Sequence, residues 1–381
     1  MALPKTIGFP RMMKEAGEKR VFLPEYIQHL ANLGLVVFIE EGYGSRSGLT
    51  FDDYRQGNEN IRKCSRAEAF QQELVLVLRS PVLEEFQLLN PGNCLISMLH
   101  YPTRPRRVQA LERLGVKAIS LDSIVNDNNI RMVENMKAVA WNGLEAAFDV
   151  LEDRWPRLRR PDGEPIRVLI LGTGMVGKHA VEAATKLGNL ERNQQHIQDE
   201  GPGSIAVSVG RNLTNHPALL EGYFRQADIL VDATQRRDPS QPVVPNAWLD
   251  WLPEHAVITD LAVDPYTLDT DPPVVRGIEG IPQGNLDQFI FAPDDPKWDE
   301  TVPASIPSDF RRTTVSCYSW PGIHSEACMR HYAQQLQPLV DILITKGYDG
   351  LSLDGGFFER AFYRGSLRYW LRSGHYEPRP R

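Results

Sequence analysis

Cysteine is scarce in this 381-residue chain: there are four, Cys64, Cys94, Cys317 and Cys328, and no two form a CxxC pair. A disulfide framework or a zinc ribbon needs closely spaced pairs. Both are therefore excluded, no metal site is expected, and a reducing compartment is favoured. Long hydrophobic runs are missing as well. No stretch approaches the ~20 apolar residues of a membrane span, and Met1–Lys5 lacks the apolar segment of a secretion signal. The expectation is a cytoplasmic protein with no membrane partner. Nor is there a surplus of positive charge: 42 Lys and Arg against 49 Asp and Glu leave a net charge of −7. That balance excludes a general nucleic-acid binder and a polybasic membrane-surface protein. The small basic clusters Arg104–Arg107 and Arg157–Arg160 have no interleaved aromatics and read as solvated surface.

What is present is ordinary globular material, 42% apolar and 24% charged, long enough for two domains at ~100–200 residues each. Hydrophobic patterning predicts strands at 5–9, Val36–Ile39, Leu74–Leu78, Leu95–Leu99 and Ala118–Leu121, with helices at Pro24–Leu33 and Val108–Leu114. A longer helix with small residues on one face (Ala138, Ala140, Gly143, Ala146, Ala147) is predicted from Met132 to Leu151 and ends at the Pro- and Arg-rich segment Trp155–Pro165. A second series of strands follows at Arg167–Leu171, Ile205–Val209, Ile229–Ala233 and Ala256–Leu261, and a final helix at Ser325–Lys346. Strands alternating with helices mean βαβ units and parallel sheet. The fold class is α/β, with two Rossmann-like doubly wound domains. The predicted boundaries place one domain at 1–140, completed by 306–381, and the other at 141–305.

The strongest local motif is Gly172-Thr173-Gly174-Met175-Val176-Gly177, which follows the apolar strand Arg167–Leu171 and opens an amphipathic helix. A GxGxxG triplet alone is weak evidence, but strand before and helix after are the context of a dinucleotide fingerprint. The first glycine permits the tight turn, the second the approach of backbone to a pyrophosphate, and the third the packing of helix on strand. The helix N-terminus contributes N–H groups and a positive dipole end. An NAD site usually carries an acid at the end of the next strand, for the ribose 2′-hydroxyl. Here Ile205–Val209 is followed by Gly210-Arg211-Asn212. A guanidinium in that place pairs with a 2′-phosphate, so NADP(H) is expected over NAD(H). The insertion 188–203 just before this strand leaves its register open.

The chain resembles the alanine dehydrogenase family and its relatives saccharopine dehydrogenase, carboxyethylornithine synthase and the nucleotide-binding part of transhydrogenase. The segments that carry the likeness run in the family's order: Ile7–Pro10 with Glu18–Pro24, Leu88–Gly92 leading into Leu95–His100, Met132–Glu134, and Val257–Asp264. The resemblance implies a cleft between the two domains. It also implies that Arg20 grips a substrate carboxylate, that His100 is the general acid/base, that Asp264 orients substrate or cofactor, and that Thr234 lies where backbone approaches the cofactor. Imidazole suits proton transfer near neutral pH, and arginine's planar fork suits a carboxylate. Read by themselves, Arg20 is a surface charge, His100 a structural histidine, and Asp260 and Asp264 strand-end turn residues; His324 is a further, structural candidate.

One departure stands out. Alanine and saccharopine dehydrogenases have a lysine where this chain has Arg79, in Leu78-Arg79-Ser80-Pro81. Arginine keeps its proton at every working pH, so Arg79 can bind a carboxylate or polarise a carbonyl but cannot exchange protons. The expectation is an NAD(P)-dependent oxidoreductase of the amino-acid or opine type, acting on C–N bonds of amino acids or 2-oxo acids, and a possible homo-oligomer. The alternatives are a non-catalytic NAD(P)-binding homologue, alanine dehydrogenase proper, and hydride exchange between nucleotides. The bulky tail Gly355–Trp370 has no counterpart in the resemblance.

Overall fold

The computed structural model describes residues 3–12, 17–236 and 238–373. They divide into two compact units, one formed by the chain up to Asn135 and again from His324, the other by Met136–Ile323.

The first unit is built on strands β1 (Thr6–Phe9), β2 (Val36–Glu40), β3 (Ile61–Cys64), β4 (Leu74–Arg79), β5 (Cys94–Met98) and β6 (Lys117–Ser120). They pair in the order β3-β2-β1-β4-β5-β6, every neighbour parallel. That is the doubly wound order, with the chain reversing direction across the sheet between β1 and β4. Alternate residues of β4 serve the two faces. Leu74, Leu76 and Leu78 join Ile27 and Leu30 of the helix Pro24–Asn32 and Leu336, Leu339 and Leu343 of the helix Ser325–Lys346. Val75 and Val77 join Val108 and Leu111 of the helix Pro105–Arg113. A strand buried on both faces reads as a continuous apolar run, which is why β4 was legible and β3, an edge strand of sequence IRKC with one buried residue, was not.

The second unit contains β7 (Ile166–Leu171), β8 (Ser204–Val209), β9 (Ile229–Asp232), β10 (Val257–Asp260), β11 (Ile290–Phe291) and β12 (Thr313–Ser316), in the order β11-β12-β10-β9-β7-β8. Only β11 runs antiparallel, against β12. The long helix Met136–Arg154 lays Ala140, Gly143 and Ala147 inward; a Cβ on Gly143 would run into Leu261.

The expected return to the first unit at 306 is corrected. Thr313 pairs with Val257 and Ser316 with Asp260, so the second sheet keeps the chain until Ile323. Four polar-rich residues, TTVS, carry little hydrophobic signal, and their partner supplies the burial. The long helix also belongs entirely to this unit, from Met136 rather than 141. The 188–203 insertion is a helix, Leu190–Gln198, capped by Asn189, and β8 then pairs with β7 so that Val209 lies opposite Leu171. Among the described residues no helix is long and apolar enough to cross a membrane.

Candidate active site

In each unit the residues singled out from sequence gather at the carboxyl ends of the strands, where open α/β sheets bind ligands. In the first unit, β5 runs into His100, which adopts a left-handed conformation (φ 54°). Its neighbour β6 leads to Asp122, a buried acid that the sequence reading missed. One carboxylate oxygen of Asp122 accepts the His100 backbone N–H at 3.1 Å and the Ser120 hydroxyl at 2.8 Å. The other lies 3.3 Å from the imidazole Nδ1. Burial pushes the Asp122 carboxyl up. The hydrogen bond and charge of His100, with the Ser120 hydroxyl, outweigh it and hold the group at about 2. Asp122 therefore stays ionised and fixes a half-exposed imidazole by Nδ1, leaving Nε2 as the nitrogen that can exchange a proton. Its signal was an acid two residues beyond a strand adjacent to that of the histidine.

The tail with no family counterpart buttresses this pair. Gly365 accepts the Ser120 backbone N–H at 2.8 Å, and Trp370 packs on Tyr101 with ring centroids 5.7 Å apart.

Arg20 lies in the segment after β1 and is buried. Its guanidinium bonds the carboxylate of Glu18 at 2.8 and 2.5 Å, and Glu18 is buried as well. The fork expected to grip substrate is thus engaged within the chain. Glu18→Gln would strip the counter-charge from a buried arginine; the unfolding free energy should drop by roughly 3 kcal/mol in denaturant titration. Arg79 ends β4 and lines a cavity of about 100 Å³ with Arg11, Met12, Arg66, Ser80 and Glu85 among others. Arg66 bridges Glu40 (2.7 Å) and Glu85 (2.5 Å), and Glu40 also holds Arg11 at 2.9 Å, an ion-pair chain that gives this wall its shape. Arg11 and Met12 also line the cavity that contains Arg20, so the two arginines belong to adjoining cavities.

In the second unit, the turn after β7 has the geometry its glycines require. Gly172 sits at φ +115°, and a Cβ there would run into the carbonyl oxygen of Ala233. A Cβ on Gly177 would meet the carbonyl of Gly172, whereas one on Gly174 would meet nothing within 4 Å. Gly174 caps the helix Met175–Ala184, with Thr173 and Met175 exposed and Val176 half-buried beside it. Tight turn, open space and close helix packing are the three conditions of a dinucleotide cradle. Gly210 follows β8 directly and lies beside Thr173 (a Cβ would be 3.7 Å from its methyl), and the exposed Arg211 reaches the carbonyl of Gln235 at 2.9 Å. Thr234 follows β9 at the floor of the Gly172 turn. Asp264, beyond β10, is paired with Arg236 at 2.7 Å, and Arg236, unflagged by any pattern, also gathers the carbonyls of Pro239, Gln241 and Val275. Asp260 is buried and paired with Arg276 at 2.9 Å. His324 is exposed at the start of its helix.

Residues 8–140 match the family model "Alanine dehydrogenase/PNT, N-terminal domain". The alanine dehydrogenases of Methanococcus maripaludis and Bacillus subtilis are 23% and 24% identical to the chain, over 68% of it and 72% and 70% of their own lengths. The solved structure of an L-alanine dehydrogenase superposes over 95% of this chain and 94% of its own, with a TM-score of 0.68 and 22% identity. Segment 8–140 is thus an alanine dehydrogenase/PNT N-terminal domain, and the remaining likenesses support the same superfamily for the chain. The two six-stranded α/β units match the fold of that solved alanine dehydrogenase structure. The matched segment 8–140 contains Arg20, Arg79, His100 and Asp122.

Proposed function

We propose that the chain is a nicotinamide-dinucleotide-dependent oxidoreductase acting on C–N bonds of amino acids. In the finer reading it is of the opine or amino-acid dehydrogenase type: it reduces an imine formed from a 2-oxo acid and an amine, or runs the reverse. The observation that carries this is the His100–Asp122 pair, an ionised acid fixing a half-exposed imidazole, in a superfamily member that also has the Gly172–Gly177 turn. When bound, the dinucleotide supplies or accepts the hydride. Gly172, Thr173, Gly174, Met175, Val176 and Gly177 would hold its pyrophosphate, with Thr234 below. His100 Nε2 moves the proton to or from the substrate nitrogen or carbonyl oxygen, and Asp122 keeps the ring oriented. Arg79 holds the substrate carboxylate beside Arg20, whose own fork is taken by Glu18, and Asp264 orients substrate or cofactor. Positioning of this kind supplies much of the rate in such reactions.

NADP(H) is the preferred cofactor in this reading, because the acid that would select NAD(H) is missing and Arg211 stands next to its expected place. Arg211→Ala should weaken NADPH binding about tenfold or more and NADH binding little, by fluorescence titration, one lost charge-assisted contact being worth ~1.5–3 kcal/mol. Equal losses for both nucleotides would remove the 2′-phosphate assignment.

The deciding experiment follows nicotinamide absorbance while NADPH and NADH are offered with panels of 2-oxo acids, each with and without amino acids or ammonia. Oxidation that requires both an oxo acid and an amine supports the reading and names the substrate class. The second reading, a non-catalytic dinucleotide-binding homologue, is favoured by Arg79, which cannot exchange a proton as a lysine can. Tight NADPH binding without turnover on any pair would select it.

A further inference from the structure

Asp232 ends β9 and Asp260 ends β10, and the two are registered partners in a parallel pair. Such neighbours project to the same face of the sheet, so two buried acids, 1% and 2% exposed, lie side by side. Their surroundings differ. Asp260 has its charge answered: one oxygen accepts the Val263 N–H at 2.9 Å, and the other accepts the Ser316 hydroxyl at 3.0 Å and faces the Arg276 guanidinium at 2.9 Å. Arg276 is itself 1% exposed, anchored on the carbonyl of Pro282 at 2.6 Å between the rings of Tyr266 and Tyr318. Among the described residues no cation is paired with Asp232. Its Oδ1 accepts the backbone N–H and the hydroxyl of Thr234, at 2.9 and 2.7 Å. Its Oδ2 has no hydrogen-bond partner among the described residues and lies against Gly277, where a Cβ would collide with it. Asp264 adds to the repulsion, and the arginine beside Asp264, Arg236, is paired with it.

A buried oxygen with no donor belongs to an acid that keeps its proton, since an unpaired buried carboxylate costs several kcal/mol. Burial first, and then the neighbouring Asp260 charge, push the Asp232 carboxyl up to about 7 against the two Thr234 bonds. The loop that Asp232 holds is the one under the glycine turn: Gly172 rests on the carbonyl of Ala233 and the nitrogen of Thr234.

We propose that Asp232 is a positioning residue of the dinucleotide site, fixing the Ala233–Thr234 turn beneath Gly172 while protonated and releasing it when ionised, so that dinucleotide binding weakens as pH rises. Ionisation works in one direction by two routes. The new carboxylate turns toward donors and pulls on Thr234, and it places a second negative charge under the site of an anionic pyrophosphate.

The inference rests on the dinucleotide reading above, and the test separates the two. NADH is the probe, because its phosphates keep their charge through neutrality whereas a 2′-phosphate titrates near pH 6. For the wild-type protein the NADH dissociation constant should rise about tenfold between about pH 6 and pH 8.5, one unit of linkage. D232N, neutral throughout and still able to accept both Thr234 bonds, should stay at the tight value. A D232N profile parallel to wild type overturns the proposal. A second readout needs no cofactor. An acid whose folded value is raised contributes stability that is complete at low pH and lost as pH rises through the folded value. The melting temperature of D232N should therefore gain on wild type from about pH 5 to about pH 8; a constant difference would show that Asp232 does not hold the proton. If wild type binds NADH at no pH, it is the dinucleotide reading that fails, while the melting comparison still decides the protonation state.

Discussion

Replacing His100 with alanine should lower kcat by about 10² to 10⁴, the usual contribution of a positioned general acid/base, while NADH and NADPH affinities stay within about twofold because the loss lies in proton transfer and not in cofactor contacts. Steady-state kinetics with the substrate pair found in the absorbance screen, beside fluorescence titration of cofactor, would check both halves. Unchanged turnover would remove His100 from the chemistry. Asp122→Asn is the companion variant. The ring remains but loses the anion that fixes Nδ1, so kcat should fall by a smaller factor, with KM for the oxo acid little changed. Stability gives a separate check. Asp122 is held at about 2, below the ordinary carboxylate range, in large part by His100. Its contribution is complete above that ordinary range and lost as pH falls toward the folded value. Without the imidazole that contribution is missing, so His100→Ala should be less stable than wild type above the ordinary carboxylate range, and the difference should shrink as pH falls toward about 2.

Gly172→Ala should abolish detectable dinucleotide binding and destabilise the second unit by roughly 2–5 kcal/mol, the sum of a strained backbone and a core overlap. At φ +115° an alanine is disfavoured before any neighbour is considered, and its methyl group would meet the Ala233 carbonyl. Gly174→Ala provides the contrast. A Cβ there has nothing within 4 Å, so the melting temperature should hold while cofactor affinity drops, because the methyl occupies the space through which a pyrophosphate approaches backbone. Unaltered affinity in Gly174→Ala would place any bound nucleotide elsewhere. Together the pair separates what the glycines do for the fold from what they do for a ligand.

Much of this site was legible because its parts are local. A strand buried on both faces, such as Leu74–Arg79 or Ile166–Leu171, is a run of apolar residues in any context. The Gly172–Gly177 turn is specified within six residues, since the positive φ and the close helix packing are demands that only glycine meets there. His100 and Arg79 stand at the ends of such strands, but it was the resemblance to the alanine dehydrogenase family that singled them out. Two short, polar-rich strands were not legible: β3, at the edge of its sheet, and β12, inside its own, are four residues each, and their identity comes from the neighbours they pair with.

The sequence by itself determined the α/β class and the glycine turn between strand and helix, because each depends on contacts within a few residues. Only the tertiary structure decided which charges answer one another. Asp122 meets His100 through the pairing of β5 with β6, 22 residues apart in the chain. Glu18 occupies the fork of Arg20, Arg236 takes Asp264, and Arg276 reaches Asp260 while no described cation pairs with Asp232. An electrostatic partner is chosen by distance and burial, and those are set by which strands pair and which loops fold over them.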